Sequence, residues 1–169
     1  MRKRHLSAIT ALALATMLLS SCTTDGGAPS ANPQGGSTVA QENLPQVSGD
    51  KGAQPTITAP TGAAPTELQV QDLFVGDGAE ATATSTLTVH YVLMAWSTGQ
   101  VVESSWLSGP ATFGLNQVIQ GWQQGIPGMK VGGRRLLVIP PALGYGDVAS
   151  GPLAANETLI FVVDLISVS

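Results

Sequence analysis

The pattern of apolar and polar positions predicts a series of β-strands over the C-terminal part of the chain. Residues 86–94 alternate most regularly, because every second residue from Leu87 to Leu93 carries a large apolar side chain. Successive side chains of a strand point to opposite faces, so this pattern predicts a half-buried strand. Residues 67–74 alternate in the same way and end at a Gly-Asp-Gly turn.

Further strands are predicted from longer apolar runs and turn residues. Residues 133–140 and 158–168 are almost continuously apolar, which is typical of buried central strands. The Ser-Thr-Gly turn at 97–99 predicts a hairpin into a strand at 100–105, and 111–115 predicts a short strand. Several antiparallel strands with one short helix to cover a face make an α+β fold.

The helix is predicted where the sequence reads VIQGWQQGIPG, from Val118 onward. Helical spacing puts Val118, Trp122 and Ile126 on one face, and glycine and proline end the helix after about two turns. A large indole on a short helix among strands suggests the floor of an apolar cup. The alternative, that Trp122 simply fills the core, is the default for a single tryptophan.

The first 22 residues indicate export. Basic residues at 2–4 precede an apolar stretch at 6–19 that is too short to span a membrane comfortably. The sequence Leu-Ser-Ser-Cys then resembles a bacterial lipobox, which predicts a signal peptide at 1–21 and lipidation of Cys22. An ordinary secretory signal with an incidental cysteine is the alternative. Cys22 is the only cysteine, so acylation would account for a thiol that an exported chain would otherwise leave free.

Residues 22–65 are rich in Gly, Pro, Ser, Thr, Ala and Gln, and predict a flexible tether because they cannot bury enough apolar surface to fold. Within them, the β-branched residues at 55–60 could instead add an edge strand to the domain. That domain is predicted at 66–169, which is long enough for a single core, and a monomer is the default. With Cys22 acylated, the protein is expected to be a membrane-anchored lipoprotein at the extracytoplasmic face.

Charge and metal-ligand content exclude several functions. Without residues 1–21 the chain has four basic and eleven acidic residues, a net charge of −7. It therefore lacks a basic stripe that could neutralise phosphates, and no nucleic-acid partner is expected. Only one histidine, His90, remains, and no cluster has metal-ligand spacing, so no metal is expected.

Four segments, in their order and at their spacings, resemble the FKBP-type peptidyl-prolyl cis-trans isomerases, the immunophilins that bind tacrolimus and rapamycin. They are VHY at 89–91, GQVVESS at 99–105, VIQGW at 118–122, and YG at 145–146 ahead of TLIF at 158–161. The resemblance covers residues 67–168. It implies a twisted antiparallel sheet wrapped around one short helix, substrates that contain X-Pro bonds, tacrolimus-type macrolides as ligands, and no cofactor.

The resemblance also implies a pocket with an indole floor at Trp122. The catalytic candidates are Tyr145, Glu103 and Trp122, and the substrate-binding candidates are Tyr91, Val102, Phe113, Val118, Ile119, Leu153 and Phe161. Tyr145 matches the tyrosine whose hydroxyl donates a hydrogen bond to a ligand carbonyl, and Ile119 matches the residue whose backbone N–H binds another carbonyl. Phe113 and Val118 could equally be plain core residues.

Such a pocket suits prolyl isomerisation. Rotation about an X-Pro bond faces a barrier of ~18–20 kcal/mol because the planar amide loses its resonance. A dry aromatic cup destabilises the charge-separated planar form relative to the twisted transition state, and neither a nucleophile nor a proton transfer is needed. Exported proteins refold after crossing the membrane, and prolyl isomerisation can limit that folding. The predicted function is therefore to accelerate this step.

Three positions depart from the family pattern and leave an alternative function open. Val102 stands where the family usually has phenylalanine, Ala111 where another aromatic is common, and Glu103 where aspartate is usual. His90 lies on the strand face opposite Tyr91 and is not expected to be a general base. Trp106 could fold back to replace the missing wall. The alternative is a non-catalytic module or holdase that binds proline-containing or apolar segments, and a purely structural lipoprotein is a third candidate.

Overall fold

The computed structural model of this chain describes residues 44–169. The predicted signal peptide, Cys22 and the first half of the predicted tether lie outside these residues. The strands are β1 (Val47–Ser48), β2 (Thr56–Ile57), β3 (Gln69–Phe74), β4 (Thr86–Ala95), β5 (Val101–Ser104), β6 (Ala111–Gly114), β7 (Arg134–Ile139) and β8 (Leu159–Val168). The α-helix is α1 (Gln120–Gly125), and 3₁₀ turns form at Leu115–Gln117 and Pro141–Leu143.

Strands β3, β7, β8, β4 and β5 form an antiparallel sheet in that order. Strand β6 pairs with the N-terminal half of β4, and β5 pairs with its C-terminal half. The long strands β4 and β8 pair from Leu87↔Val168 to Ala95↔Leu159 and form the middle of the sheet. This antiparallel sheet with one short helix confirms the predicted α+β class.

Both faces of the sheet are covered, which explains the continuous apolar runs in β7 and β8. The inner face packs against α1 and includes Leu87, Val89, Tyr91, Leu93, Leu137, Ile139, Leu159, Phe161, Val163 and Leu165. The outer face carries a second apolar cluster that includes Val92, Met94, Leu136, Val138, Ile160 and Val162. Strands buried on both faces lose the alternation of a half-buried strand and become apolar throughout.

The outer cluster is covered by residues 44–60, which we call the N-terminal strap. Its two short strands, β1 and β2, pair with each other, and Ile57 of β2 is buried in the outer cluster. The guanidinium of Arg134 donates hydrogen bonds to the strap carbonyls of Gly49 (3.2 Å) and Ala53 (2.6 Å). The same guanidinium forms a two-bond ion pair with Asp164. The strap is therefore fixed to the sheet by apolar contacts and by hydrogen bonds.

The boundary between tether and domain lies earlier in the chain than the predicted position between residues 65 and 66. The folded unit already includes residues 44–60, because the few apolar side chains of this segment meet an apolar sheet face that the local composition does not reveal. A strand does form within 55–60, but its partner is β1 and not an edge of the main sheet.

The helix begins at Gln120, two residues later than predicted, and its six residues make about two turns. Val118 precedes it, while Trp122 and Ile126 are buried against the sheet as expected. Two glycines allow the helix to lie directly on β7. A Cβ atom on Gly121 would collide with Cγ2 of Ile139, and one on Gly125 would lie 2.7 Å from Leu137 Cδ2.

Arg135 of β7 fixes the C-terminal end of α1. Its Nη1 donates a hydrogen bond to the carbonyl of Gly125 at 2.7 Å, and Asp72 of β3 binds the other side of the guanidinium. A cation at a helix C-terminus satisfies carbonyls that have no partner within the helix. Within residues 44–169, no helix is long and apolar enough to cross a membrane.

Candidate active site

An open cavity of ≈ 400 Å³ lies between the inner face of the sheet, α1 and the loop that joins β7 to β8. Its walls are formed by Tyr91, Leu93, Glu103, Phe113, Gln117, Val118, Ile119, Trp122, Tyr145 and Phe161. The lining combines aromatic rings with a single carboxylate. The structure thus brings together all three catalytic candidates and five of the seven substrate-binding candidates.

Trp122 lies at the base of this cavity and contacts three other rings edge to face. The ring centroids of Phe161, Tyr91 and Phe113 lie 5.3, 6.0 and 6.1 Å from that of Trp122, with interplanar angles of 84–87°. Such edge-to-face pairs are favourable because the positive edge of one ring meets the negative face of another. The indole is 4% exposed and cannot turn without disturbing these contacts.

Tyr91 and Glu103 form a polar pair on the cavity wall. The Tyr91 hydroxyl donates a hydrogen bond to Glu103 Oε1 at 2.5 Å. Burial raises the pKa of the Tyr91 hydroxyl well above its ordinary value, and the hydrogen bond to Glu103, the charge of Glu103 and nearby Tyr145 raise it further. Tyr91 therefore stays a neutral donor, and one oxygen of the carboxylate is committed to it.

A β-bulge in β5 sets the direction of Glu103. Leu93 pairs with Glu103 and Met94 pairs with Val101, so Val102 is an extra residue opposite a continuous β4. Because of the bulge, Glu103 lines the cavity while its neighbour Val102 packs, half buried, against the inner core. Sequence alternation alone would have put these two neighbours on opposite faces.

Tyr145 lies on the loop between β7 and β8 and is 43% exposed at the cavity. The loop is closed beside it, because the N–H of Asn156 donates to the carbonyl of Gly146 and the N–H of Gly146 donates to the carbonyl of Pro141, both at 2.9 Å. Gly146 has a φ of +65°, a conformation that favours glycine. The phenol is thus held at the cavity and remains accessible to a ligand.

Ile119 is the residue before the first turn of α1, with an extended backbone (φ −58°, ψ 152°). Its carbonyl accepts hydrogen bonds from the N–H groups of Trp122 (3.0 Å) and Gln123 (3.2 Å). The N–H of a residue at this position has no acceptor within the helix. It can therefore donate to a carbonyl group in the cavity.

Two predicted residues do not line the cavity, and two lining residues were not predicted. Val102 occupies the bulge, and Leu153 is buried in the inner core within the loop. Leu93 and Gln117 line the cavity instead. Leu93 shares the strand alternation of Tyr91, which is a signal that could have identified it, whereas nothing in the local sequence distinguishes Gln117.

Trp106 does not replace the missing wall. It packs in the outer cluster, on the side of the sheet away from the cavity, and its ring stacks on His90 with centroids 4.1 Å apart. His90 Nδ1 lies 3.0 Å from the hydroxyl of Ser105. The histidine thus lies away from the cavity, as the strand alternation predicted.

The polar groups of the cavity are a phenol, a carboxylate already paired with a tyrosine, an amide side chain and a backbone N–H. Together with the rings they can enclose a small apolar ring and bind the carbonyl groups on either side of it. Within residues 44–169, no three His, Cys, Asp or Glu side chains are grouped in a way that could hold a metal ion.

Known proteins resemble this chain in sequence over most of the residues that form the sheet and the cavity. Residues 78–166 match the protein family described as FKBP-type peptidyl-prolyl cis-trans isomerase. The probable FK506-binding protein of Corynebacterium glutamicum is 50% identical over 115 residues, which cover 68% of this chain and 98% of that protein. The FK506-binding protein of Streptomyces anulatus is 49% identical over 120 residues, covering 68% of this chain and 97% of that protein.

Solved structures share the fold. The crystal structure of FkpA from Escherichia coli aligns with a TM-score of 0.58 and 34% identity, covering 62% of this chain and 49% of that chain. The crystal structure of AtFKBP13 aligns with a TM-score of 0.56 and 35% identity, covering 63% of this chain and 96% of that chain.

Proposed function

Because this chain belongs to the family of FKBP-type peptidyl-prolyl cis-trans isomerases, we propose that it accelerates X-Pro isomerisation while exported proteins fold. The observation that carries the proposal is the cavity itself, where Trp122 forms an apolar floor that three other aromatic rings hold in place. The floor and walls suit a prolyl ring, and the cavity is open to a polypeptide chain.

The chemistry follows from what the cavity offers the amide. The prolyl ring packs on the indole of Trp122, which removes water from one side of the X-Pro bond. The planar amide is more charge-separated than the twisted one, so an apolar surrounding disfavours the planar form relative to the transition state. The catalytic contribution is thus a difference in solvation, and no bond is made or broken.

Two donors hold the substrate while the bond rotates. The hydroxyl of Tyr145 donates to one carbonyl group next to the proline, and the N–H of Ile119 donates to another. Binding the flanking carbonyls fixes the two ends of the rotating bond. Contacts outside the amide thus supply binding energy that lowers the barrier to rotation about the X-Pro bond. Glu103 keeps Tyr91 oriented as part of the wall through their hydrogen bond.

The place of action is proposed from the N-terminal sequence. The basic residues at 2–4, the apolar stretch and the lipobox-like sequence that ends at Cys22 support export and acylation of Cys22. The protein would then work as a monomer, anchored at the extracytoplasmic face of a membrane. The names of the relatives from Corynebacterium glutamicum and Streptomyces anulatus support FK506-type macrolides as ligands of the same cavity.

One observation favours a second candidate function, a holdase that binds proline-containing or apolar segments without turnover. Val102 lies outside the cavity lining, and Ala111 is a small residue in β6, so neither supplies an aromatic wall. A less enclosed cavity would desolvate the amide less completely, whereas the binding of apolar segments would persist.

A protease-coupled assay on a short Xaa-Pro-Phe peptide distinguishes the two functions. We expect the protein to accelerate isomerisation, FK506 to inhibit it, and the double substitution Trp122→Leu and Tyr145→Phe to lower kcat/KM by about a hundredfold, as for loss of a packed ring and a hydrogen bond together. Trp106→Leu is the control, because it removes an indole from the outer face. Absence of acceleration, with peptide binding retained, would support the holdase.

A further inference from the structure

Glu157 is a buried carboxylate outside the cavity that the proposed chemistry does not use. It lies at the end of the β7–β8 loop, two residues before β8, and is 7% exposed. Both of its oxygens are bound by one residue of the β4–β5 turn: Oε1 accepts the N–H of Ser97 at 2.9 Å, and Oε2 accepts the Ser97 hydroxyl at 2.5 Å. We call this two-bond contact the Glu157–Ser97 clasp.

The clasp is continuous with the segment that carries Tyr145. The N–H of Asn156, next to Glu157, donates to the carbonyl of Gly146, next to Tyr145. Asn156 has a φ of 58°, in the left-handed region that few non-glycine residues adopt. Asparagine adopts this conformation more readily than most residues, and the clasp holds the residue that follows it.

The other side of the clasp, the β4–β5 turn, contacts both the sheet and the strap. The turn that contains Ser97 is tied to the start of β8, because the N–H of Trp96 donates to the carbonyl of Thr158 at 3.0 Å. The turn also lies against the strap, where a Cβ atom on Gly99 would be 2.8 Å from Cβ of Ala59. Glu157 therefore connects the Tyr145 loop to a turn that is hydrogen-bonded to the residue before β8 and packed against the strap.

The carboxylate makes the two hydrogen bonds of the clasp stronger than a pair between neutral groups. Hydrogen bonds to an ionised acceptor are roughly twice as strong as neutral ones. A buried carboxylate that lost both donors would be costly, so the conformation of the β7–β8 loop that places Glu157 against Ser97 is favoured over others.

We propose that Glu157 is a positioning residue for the isomerase reaction: the Glu157–Ser97 clasp holds the loop in the conformation that keeps the Tyr145 hydroxyl at the cavity. Glu157 acts through Tyr145 and does not touch the substrate. The proposal rests on the proposed function of the cavity, because it assumes that Tyr145 contributes to turnover.

The test is a double-mutant cycle on the full chain. Glu157→Ala should lower kcat/KM by about tenfold when Tyr145 is present and by less than about twofold in a Tyr145→Phe background, because coupled residues are not additive. Glu157→Gln, which keeps an acceptor for the Ser97 N–H, should recover part of the loss. Glu67→Gln is the control, since it makes the same chemical change at an exposed carboxylate.

The outcomes separate the inference from the proposed function. An equal loss in both backgrounds, or no loss for Glu157→Ala, would overturn the positioning role while wild-type turnover still upheld the isomerase. A wild-type protein without turnover would overturn the proposed function and the positioning role with it. Amide hydrogen exchange at Asn156 reports on the clasp directly: it should accelerate in Glu157→Ala, and in Glu157→Gln to a smaller degree, and unchanged exchange in both would also refute the inference.

Discussion

Tyr91 combines two functions in one side chain. Its ring packs among Phe113, Trp122 and Phe161, and its hydroxyl reaches the carboxylate of Glu103. Strand alternation is enough to predict that this ring faces the interior. The hydrogen bond depends on the β5 bulge, a feature of strand pairing that no local pattern indicates.

The raised pKa of Tyr91 gives a prediction at the scale of one residue. In Tyr145→Phe, Tyr91 is the only tyrosine, so phenolate absorbance reports on it alone. We expect its titration in the folded protein to begin well above that of the urea-unfolded chain, which should titrate near pH 10, at about the usual pKa of tyrosine. Burial is the main cause of the shift.

The sign of the stability effect follows from proton linkage. The folded state holds the Tyr91 proton more tightly than the unfolded state. The contribution of this group to stability is therefore fully present below about pH 10 and is lost as the pH rises through the interval between the two pKa values. A native-state titration that coincided with that of the unfolded chain would contradict the buried hydrogen bond.

The N-terminal strap is an element that its own amino-acid composition does not predict. Residues 44–60 contain turn-forming and small residues with only a few large apolar ones, which is also the composition of a tether. What orders them is the outer sheet face, together with the guanidinium of Arg134, whose donors need acceptors once it is buried.

The strap gives a prediction at the scale of elements. Ile57→Ala should lower the free energy of unfolding by about 2–5 kcal/mol, because it removes a buried side chain from the outer cluster. Thr56→Ala is the control: it lies in the same strand but is exposed, and should change stability by less than about 0.5 kcal/mol. Urea denaturation measures both values. Equal effects of the two substitutions would show that the strap is not held to the sheet.

The helix is an element whose place in the chain and length of about two turns were predicted from the sequence, although it begins two residues later than predicted. Its location and the burial of Trp122 follow from the apolar spacing around it. Its close approach to β7 at Gly121 and Gly125 is a tertiary property, since it depends on which strand residues lie beneath the two glycines.

At the scale of the whole molecule, the proposed membrane anchor depends on Cys22 and not on the folded domain. Cys22→Ala should move the protein from the membrane fraction to the soluble fraction after cell fractionation, because the acyl chains would have no attachment site. Thr24→Ala is a neighbouring control that leaves the thiol in place. If Cys22→Ala stays with the membrane, the lipid anchor is refuted, while the isomerase proposal is unaffected.

The sequence by itself determined the fold class, the places of the main strands along the chain, the site of the helix and, through its resemblance to a family, the aromatic residues of the cavity. These follow from periodicity and from motifs, which are local properties of the chain. The tertiary structure alone decided that Glu103 meets Tyr91, that Val102 and Leu153 lie outside the lining, and that Trp106 turns to the outer face. It also decided that residues 44–60 belong to the folded unit. Each of these depends on strand register, on a bulge or on a contact between distant segments. The physical reason is the same in each case: the shape of the assembled sheet sets these contacts, and the residues next to a position in the sequence do not determine them.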